Sequence, residues 1–316
     1  MTLSNFALIG AAGFVAPRHL NAIKTTGHRL VAACDPHDAV GVLDRYFLDA
    51  KFFSEVERFD RFLEKARRQG EEQRVHYLSV CSPNYLHDAH VRLALRVHAS
   101  AICEKPLVIN PWNLDQLAEL ERESEGRVYN VLQLRLLPQL KALREKVLTQ
   151  DRRADVVLSY VTRRGPWYRI SWKGSEAKSG GLPTNIGVHF FDLLQWIFGE
   201  VSRCSVHLAE PDRWSGFLEL KRADVRWYLS TRHQDLPAET VAQDKPAFRS
   251  LTIDGEEIEF SPGFTDLHTA VYEDILAGGG FGIEDARPSV ELAHRIRTTA
   301  ATPAGATAHP FLAEAR

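Results

Sequence analysis

Three things are scarce in this sequence. The first is charge imbalance: 39 lysines and arginines face 41 aspartates and glutamates, for a formal net charge of -2. With no global basic excess and no block of like charge, nucleic acid is not an expected partner. The second is long apolar runs. None approaches the ~20 residues that a bilayer-spanning helix needs, so no membrane partner is expected. The N-terminus has no basic stretch leading into an apolar core and a cleavage site. A strand begins there by Phe6, and a cytoplasmic location is the expectation. The third is cysteine. Cys34, Cys81, Cys103 and Cys204 are too widely spaced for a disulfide framework or a zinc site. They read as small core residues, and no metal is expected.

What is present suits a globular protein. The 316 residues are 44% hydrophobic and 25% charged, enough for two domains that each bury a core. In the first half, apolar strands at Phe6–Ile9, Leu30–Cys34, Val75–Cys81, Ala99–Cys103 and Val128–Leu132 alternate with helical patterns at 17–26, 57–69, 87–97 and 112–125. Asn110 is placed to cap the last helix, Pro111 suits its first turn, and Gly126 follows its end. Parallel neighbours need long crossovers, and crossovers are right-handed, so this alternation predicts a doubly wound parallel sheet. The expected dinucleotide-binding domain is 1–130.

The second half, 131–316, has a different pattern. Val156–Val161, Cys204–Leu208, Gly216–Leu220, Val225–Ser230 and Leu251–Ile253 read as strands, several with alternating polarity. Asp254-Gly255 reads as a hairpin turn. Helices are expected near 187–198, 266–277 and 284–299, the last two being candidates to pack back on the first domain. The fold class is therefore α/β: an N-terminal Rossmann doubly wound parallel sheet, then an α+β domain with a large, mainly antiparallel open sheet for substrate binding and oligomerisation.

The chemistry-bearing residues sit at strand ends. Gly10-Ala11-Ala12-Gly13-Phe14-Val15-Ala16 joins the first strand to the first helix, where backbone N–H groups face a pyrophosphate. Alanine replaces glycine at two of the usual small positions, and such a loop alone is often just a tight turn. Asp35 ends the second strand, where a carboxylate accepts hydrogen bonds from ribose hydroxyls and repels a 2′-phosphate. No arginine immediately follows it, which favours NAD over NADP. Ser82-Pro83-Asn84-Tyr85-Leu86-His87 and Glu104-Lys105-Pro106 follow two further strands, on the side where open α/β sheets bind ligands. Asn185 and His189, four apart, share one side of a helix start. His189 read by itself suits a core histidine. Arg163, Arg164, Arg169 and Lys173 interleave with Trp167, Tyr168 and Trp172. That segment suits anion pairing and base stacking, or equally a strand edge with solvated charges.

Together these residues resemble the glucose–fructose oxidoreductase / inositol dehydrogenase / MocA (Gfo/Idh/MocA) family over nearly the whole chain. The resemblance rests on the glycine loop running into His19, on Ala33-Cys34-Asp35-Pro36, on Ser82-Pro83-Asn84 with His87, on Glu104-Lys105-Pro106, on a polar residue four before His189, and on Ile283-Glu284-Asp285-Ala286-Arg287. It implies an NAD site formed by Gly10, Ala12, Gly13, Phe14, Val15, Asp35, Ser82, Pro83, Asn84, His87, Glu104, Lys105 and Gln133. It also implies a catalytic group of Lys105, His189 and the residue at 185. Asn185 stands where the family usually has Asp, and a neutral amide is no general base.

A narrower resemblance is to the WlbA/WbpB enzymes, which carry Asn there. It rests on Gly10 to His19, Tyr129 to Arg135, Arg164 to Tyr168 with Ser171 to Gly174, Thr184 to Phe190, and Gly263 to His268. It implies oxidation of carbon 3 of UDP-N-acetylglucosaminuronic acid, on the way to a diamino uronic acid for lipopolysaccharide O-antigen. Lys105, Arg163, Trp167, Tyr168, Trp172, Lys173, Asn185 and His189 are then the substrate-binding candidates. His189 is the expected base, with Lys105 its competitor. Some members of the group reduce 2-oxoglutarate as co-substrate, and no residue here decides that. A homo-oligomer, dimer or tetramer, is implied. The alternatives are a dehydrogenase of another sugar or inositol, and a sensor of NAD(H) or a nucleotide sugar that turns nothing over.

Overall fold

The computed structural model describes residues 3–258 and 267–313. The chain divides into two compact units, Met1–Leu136 with Asp266–Arg287, and Leu137–Thr265 with Pro288–Arg316.

The first unit is built on strands β1 (Asn5–Ile9), β2 (Arg29–Cys34), β3 (Lys51–Phe53), β4 (Tyr77–Val80), β5 (Ser100–Cys103) and β6 (Val128–Asn130). Their order is β3-β2-β1-β4-β5-β6 and every pair is parallel. A parallel sheet is covered on both faces, so its strands are apolar throughout rather than alternating. All five residues of β1 are buried accordingly. The helices Ala16–Thr25, Val56–Arg68, His87–Arg96 and Trp112–Glu123 are the crossovers. Leu267–Leu276 returns late in the chain to the same unit, and its Val271, Tyr272 and Ile275 join Phe6, Leu8, Leu20 and Ile23 in one core. Strand order reverses between β1 and β4, which is where such sheets open a crevice for ligands.

One local expectation changes here. Pro111, not Asn110, is the N-cap of Trp112–Glu123; the Asn110 carbonyl accepts the Asn113 N–H at 3.2 Å. Gly126 is required by a close approach: a Cβ there would lie 2.2 Å from the Ala99 carbonyl oxygen. β3 is an additional strand, three residues long and only partly buried, too short for an apolar run to reveal.

The second unit holds β7 (Ala154–Thr162), β8 (Val201–Ala209), β9 (Arg213–Leu220), β10 (Ala223–Ser230), β11 (Ala247–Ile253) and β12 (Glu256–Glu257), in the order β12-β11-β7-β10-β9-β8. All pairs are antiparallel except β7 with β10. One face is apolar, with Val156, Leu158, Leu218, Val225, Trp227 and Leu251 buried. The helix Val188–Phe198 lies on it, with Phe191 edge-on to Trp227 at 5.4 Å between centroids. The other face carries ion pairs such as Arg226–Asp155 at 2.6 Å. Asp254 and Gly255 both have positive φ, 51° and 87°, which is the backbone of a two-residue hairpin turn. Pro138–Leu148 is an additional helix. Only Leu140 and Val147 of its residues are buried, so its sequence shows no apolar stripe.

Buried histidines make stability depend on pH. Burial, then the charge of Arg226, pulls His309 down to about 3 from the free value of 6.5. Burial, then His87, pulls His90 down to about 4. Below pH 6.5 the unfolded chain therefore binds protons that the folded chain refuses, and stability falls by about 1.4 kcal/mol per pH unit for each histidine. The melting temperature is expected to drop steadily from pH 7 to pH 4.5. A flat melting temperature across that range contradicts the burial of these two rings.

Candidate active site

At the β1–β4 crevice the glycine loop is wedged against the end of β4. Gly10 has φ 92°, and a Cβ on it would lie 2.5 Å from the Cys81 carbonyl carbon and 2.6 Å from the Ser82 nitrogen. A Cβ on Gly13 would meet the Gly10 and Cys81 oxygens at 3.0 and 3.2 Å. The loop amides of Gly10 and Ala11 both point at the Cys34 carbonyl, at 2.8 and 3.3 Å. Pro17 lies in the first turn of the helix that follows, and Val15 is its N-cap. Phe14 projects from the loop, 80% exposed, under the Arg18 guanidinium at 5.6 Å.

Asp35 is buried at the end of β2. Its Oδ2 accepts the Ala12 N–H at 2.9 Å and its Oδ1 accepts the His37 N–H at 2.8 Å. One carboxylate therefore shapes the loop and remains beside it. Gln133 lies just past β6, and its buried Oε1 has no hydrogen-bond partner among the described residues. A buried amide oxygen without a donor is costly unless a ligand supplies one. The close-packed loop, the buried acid and this oxygen fit a dinucleotide.

The ends of β4 and β5 are tied together by His87. Its Nδ1 lies 2.6 Å from the Pro106 carbonyl and its Nε2 lies 2.8 Å from the Ser82 carbonyl. Burial lowers its pKa. The Ser82 hydroxyl bonds His90 Nδ1 at 2.8 Å, and Pro83 leads into the 3-10 turn Asn84–Leu86. Glu104 is buried, with His19 Nε2 at 3.0 Å and His268 Nε2 at 2.7 Å, both on Oε1. Its Oε2 accepts the Lys105 N–H at 3.2 Å. The donated hydrogen bonds outweigh burial and hold Glu104 well below the ordinary carboxylate range. Lys105 itself is half-buried.

Among the described residues, His19, Glu104 and His268 are also the one cluster whose donor atoms lie close enough together, within 4.8 Å, to hold a metal. Here both imidazoles spend Nε2 on the carboxylate. His268, with Tyr272 and Ser79 behind His19, was not legible as part of the site: these residues are far apart in sequence and no local spacing joins them.

In the second unit, a π-helical turn at Pro183–Gly187 runs into Val188–Phe198 and carries Asn185 and His189, both half-buried. Gly187 lets this turn lie on the sheet, because a Cβ there would meet Phe191 at 2.6 Å and Leu229 of β10 at 2.8 Å. Asn185 Nδ2 donates to the Tyr168 hydroxyl at 2.8 Å, and Arg164 lies over the Tyr168 ring at 5.8 Å. The 163–173 segment is not a strand edge: Pro166–Ile170 is a helical turn and Trp172–Gly174 a 3-10 turn. Lys173 sits over Trp172 at 5.6 Å, and burial, then Arg164, lowers its pKa. Arg163 pairs with Asp244 at 3.0 Å and Arg169 pairs with Asp212. Trp167 is 78% exposed. The structure thus gathers Asn185, Tyr168 and Arg164, while Arg163 turns to Asp244. Lys105 belongs to the first unit, and Asn185 and His189 to the second. Of the 263–268 segment, residues 263–266 lie outside the described residues.

Comparison with known proteins agrees with this geometry. Residues 4–131 match the Gfo/Idh/MocA oxidoreductase family, NAD-binding Rossmann fold, and residues 153–307 match that family's C-terminal alpha/beta domain. The WlbA (WbpB) dehydrogenase from Thermus thermophilus, solved in complex with NAD and alpha-ketoglutarate, is 50% identical over 98% of this chain and 100% of that chain, with a TM-score of 0.94. The same enzyme in complex with NAD and UDP-GlcNAcA matches with 49% identity, the same coverage and the same TM-score. Curated relatives match more narrowly. YteT of Bacillus subtilis, named as an oxidoreductase, is 29% identical over 52% of this chain and 40% of its own length. The D-glucoside 3-dehydrogenase of Escherichia coli is 27% identical over 39% of this chain and 35% of its own length. The chain thus spans well under half of these two relatives. The wedged glycine loop, the acid at the end of β2 and the matched stretches in both halves give one conclusion: the chain belongs to the Gfo/Idh/MocA oxidoreductase family, with an NAD-binding Rossmann domain.

Proposed function

We propose that this protein is an NAD-dependent dehydrogenase that oxidises the carbon-3 hydroxyl of UDP-N-acetylglucosaminuronic acid to the 3-keto sugar. The single observation that carries this reading is 49% identity, over 98% of this chain, to a dehydrogenase solved with NAD and UDP-GlcNAcA. The ketone would be aminated next, toward a diamino uronic acid for lipopolysaccharide O-antigen, in the cytoplasm. A homo-oligomer, dimer or tetramer, is part of the proposal.

Gly10, Ala12, Gly13, Phe14 and Val15 would cradle the pyrophosphate, and Asp35 would take the ribose hydroxyls. Ser82, Pro83, Asn84, His87, Glu104, Lys105 and Gln133 complete the cofactor site. NAD, when bound, supplies the hydride acceptor. His189 takes the proton of the carbon-3 hydroxyl, while the Lys105 ammonium hydrogen-bonds that oxygen as negative charge builds on it. Asn185 cannot accept that proton; held by Tyr168, it orients a hydroxyl or His189. Arg164 and Lys173, with Trp167, Tyr168 and Trp172, would meet the diphosphate, the carboxylate and the uracil ring, and Arg163 would join them only on leaving Asp244. The relative solved with alpha-ketoglutarate supports 2-oxoglutarate as the co-substrate that takes the hydride back.

The test is direct. UDP-N-acetylglucosaminuronic acid is expected to raise the melting temperature of the NAD-bound protein and to give 340 nm absorbance, or, with 2-oxoglutarate, catalytic consumption of the sugar. No melting shift and no turnover with this sugar, in protein that still binds NAD, would refute the substrate assignment.

A further inference from the structure

The Lys105 main chain is held by a buried hydrogen-bonded chain that ends in the late helix Leu267–Leu276. Ser79 Oγ lies 2.6 Å from Tyr272 Oη, which lies 2.8 Å from His19 Nδ1. His19 Nε2 lies 3.0 Å and His268 Nε2 2.7 Å from Glu104 Oε1, and Glu104 Oε2 accepts the Lys105 N–H at 3.2 Å. All of these side chains except that of Lys105 are buried.

The protons in this chain can be placed. An ionised Glu104 has no hydrogen to give, so both histidines donate to it from Nε2. His19 Nδ1 is then an acceptor and takes the Tyr272 hydroxyl proton, and Tyr272 oxygen takes that of Ser79. Each of these bonds then has one donor and one acceptor. Buried anions need such donors, and removing one leaves the carboxylate short of a partner in low dielectric. The same strand end is held further by Asn130, whose Nδ2 donates to the Cys103 carbonyl at 3.0 Å, and by His87, which lies against the Pro106 carbonyl.

The structure assigns His268, His19 and Tyr272 as positioning residues for Lys105, acting through the Glu104 carboxylate. None of them needs to touch sugar or cofactor. This inference rests on the proposed role of Lys105 in turnover. Its function is geometric: a reacting group displaced by about 1 Å costs on the order of a hundredfold in rate.

Four variants test it: His268→Leu, His268→Gln, Tyr272→Phe and Lys105→Met. Glutamine places an amide N–H near the position of Nε2, so it restores the bond that leucine removes. His268→Leu is expected to lower kcat for the sugar nucleotide by about tenfold to a hundredfold, with KM and NADH affinity within about threefold. His268→Gln recovers most of that loss. Tyr272→Phe, which removes one hydroxyl and keeps the ring, shows a smaller fall in kcat with KM unchanged. In the Lys105→Met background His268→Leu produces no further loss, because its effect passes through the lysine.

A readout free of substrate accompanies these: hydrogen exchange at the Lys105 amide is expected to quicken at least about tenfold in His268→Leu and to return with His268→Gln. Additive losses in the double variant, or unchanged Lys105 exchange in His268→Leu, overturn the positioning role. Full turnover in Lys105→Met with accelerated exchange in His268→Leu would instead sink the catalytic reading of Lys105 and leave the clamp standing.

Discussion

Lys105→Met is expected to lower kcat by about a thousandfold. Methionine keeps the length and apolar stem of the side chain and removes the ammonium. If Lys105 stabilises the developing alkoxide, the loss is that of a preorganised donor, about a hundredfold to a thousandfold; if it is the base, about a hundredfold to ten-thousandfold. Both assignments give a large fall, and the partner substitution separates them. His189→Asn keeps a hydrogen-bonding side chain but abolishes proton acceptance. With His189 as base, the low-pH limb of the kcat profile disappears along with most turnover. If His189→Asn retains that limb and turns over near-normally, Lys105 is the base. Lys105→Met that keeps more than about a tenth of wild-type kcat fits neither role. The lysine is well suited to such a test because its main chain is anchored independently of its ammonium, through Glu104 and the Pro106 carbonyl.

Gly10→Ala is the second large effect, and it strikes folding and cofactor binding together. The added Cβ would sit 2.5 Å from the Cys81 carbonyl carbon and 2.6 Å from the Ser82 nitrogen, on a backbone with φ 92°. Both obstacles are main chain, so no side chain can rotate away. Strained φ and overpacking each cost about 1–3 kcal/mol, so a loss of about 3 kcal/mol in stability and at least tenfold in NADH affinity is expected. Gly41→Ala is the matched control. Nothing lies within 4 Å of a Cβ there, and the residue is helical, so its stability changes by no more than about 1 kcal/mol, on the stabilising side. Denaturant melts and NADH fluorescence titration measure both. Equal behaviour of the two alanine variants would show that the wedge against β4 is unimportant.

How far the sequence spoke depends on how local each feature is. β1 was legible because a parallel strand covered on both faces is apolar throughout, and the loop and Asp35 follow directly on strand ends. The Asp254-Gly255 turn was legible because only a few residue pairs accept two successive positive φ values. β3 escaped because three partly buried residues make no pattern, and the helix Pro138–Leu148 because it buries only two apolar side chains. The parallel pairing of β7 with β10 is a matter of topology and leaves no mark on either strand's alternation.

The same contrast runs through the site. Asn185 and His189 share a four-residue spacing that by itself suits a core histidine equally, and the family resemblance singled them out. The Tyr168 hydroxyl that holds Asn185 is 17 positions away. The bond from His19 to Tyr272 spans 253 positions, and that from Glu104 to His268 spans 164. Contacts of that kind arise only when the chain has folded, which is why Glu104 reads in sequence as one member of a short triplet and in the structure as the anion at the centre of a buried network.

The central claim is that carbon 3 of a UDP-linked uronic acid gives up its hydrogen to NAD on this protein. Deuterium placed at that carbon follows the hydride. The purified protein is incubated with NAD and UDP-N-acetylglucosaminuronic acid deuterated at carbon 3, with and without 2-oxoglutarate, and the products are weighed by mass spectrometry. The account predicts deuterium in NADH, or in 2-hydroxyglutarate when the keto acid is present, with the sugar lighter by two hydrogens, one of them the label. A sugar that keeps its deuterium under both conditions, on protein that still binds NAD, contradicts it.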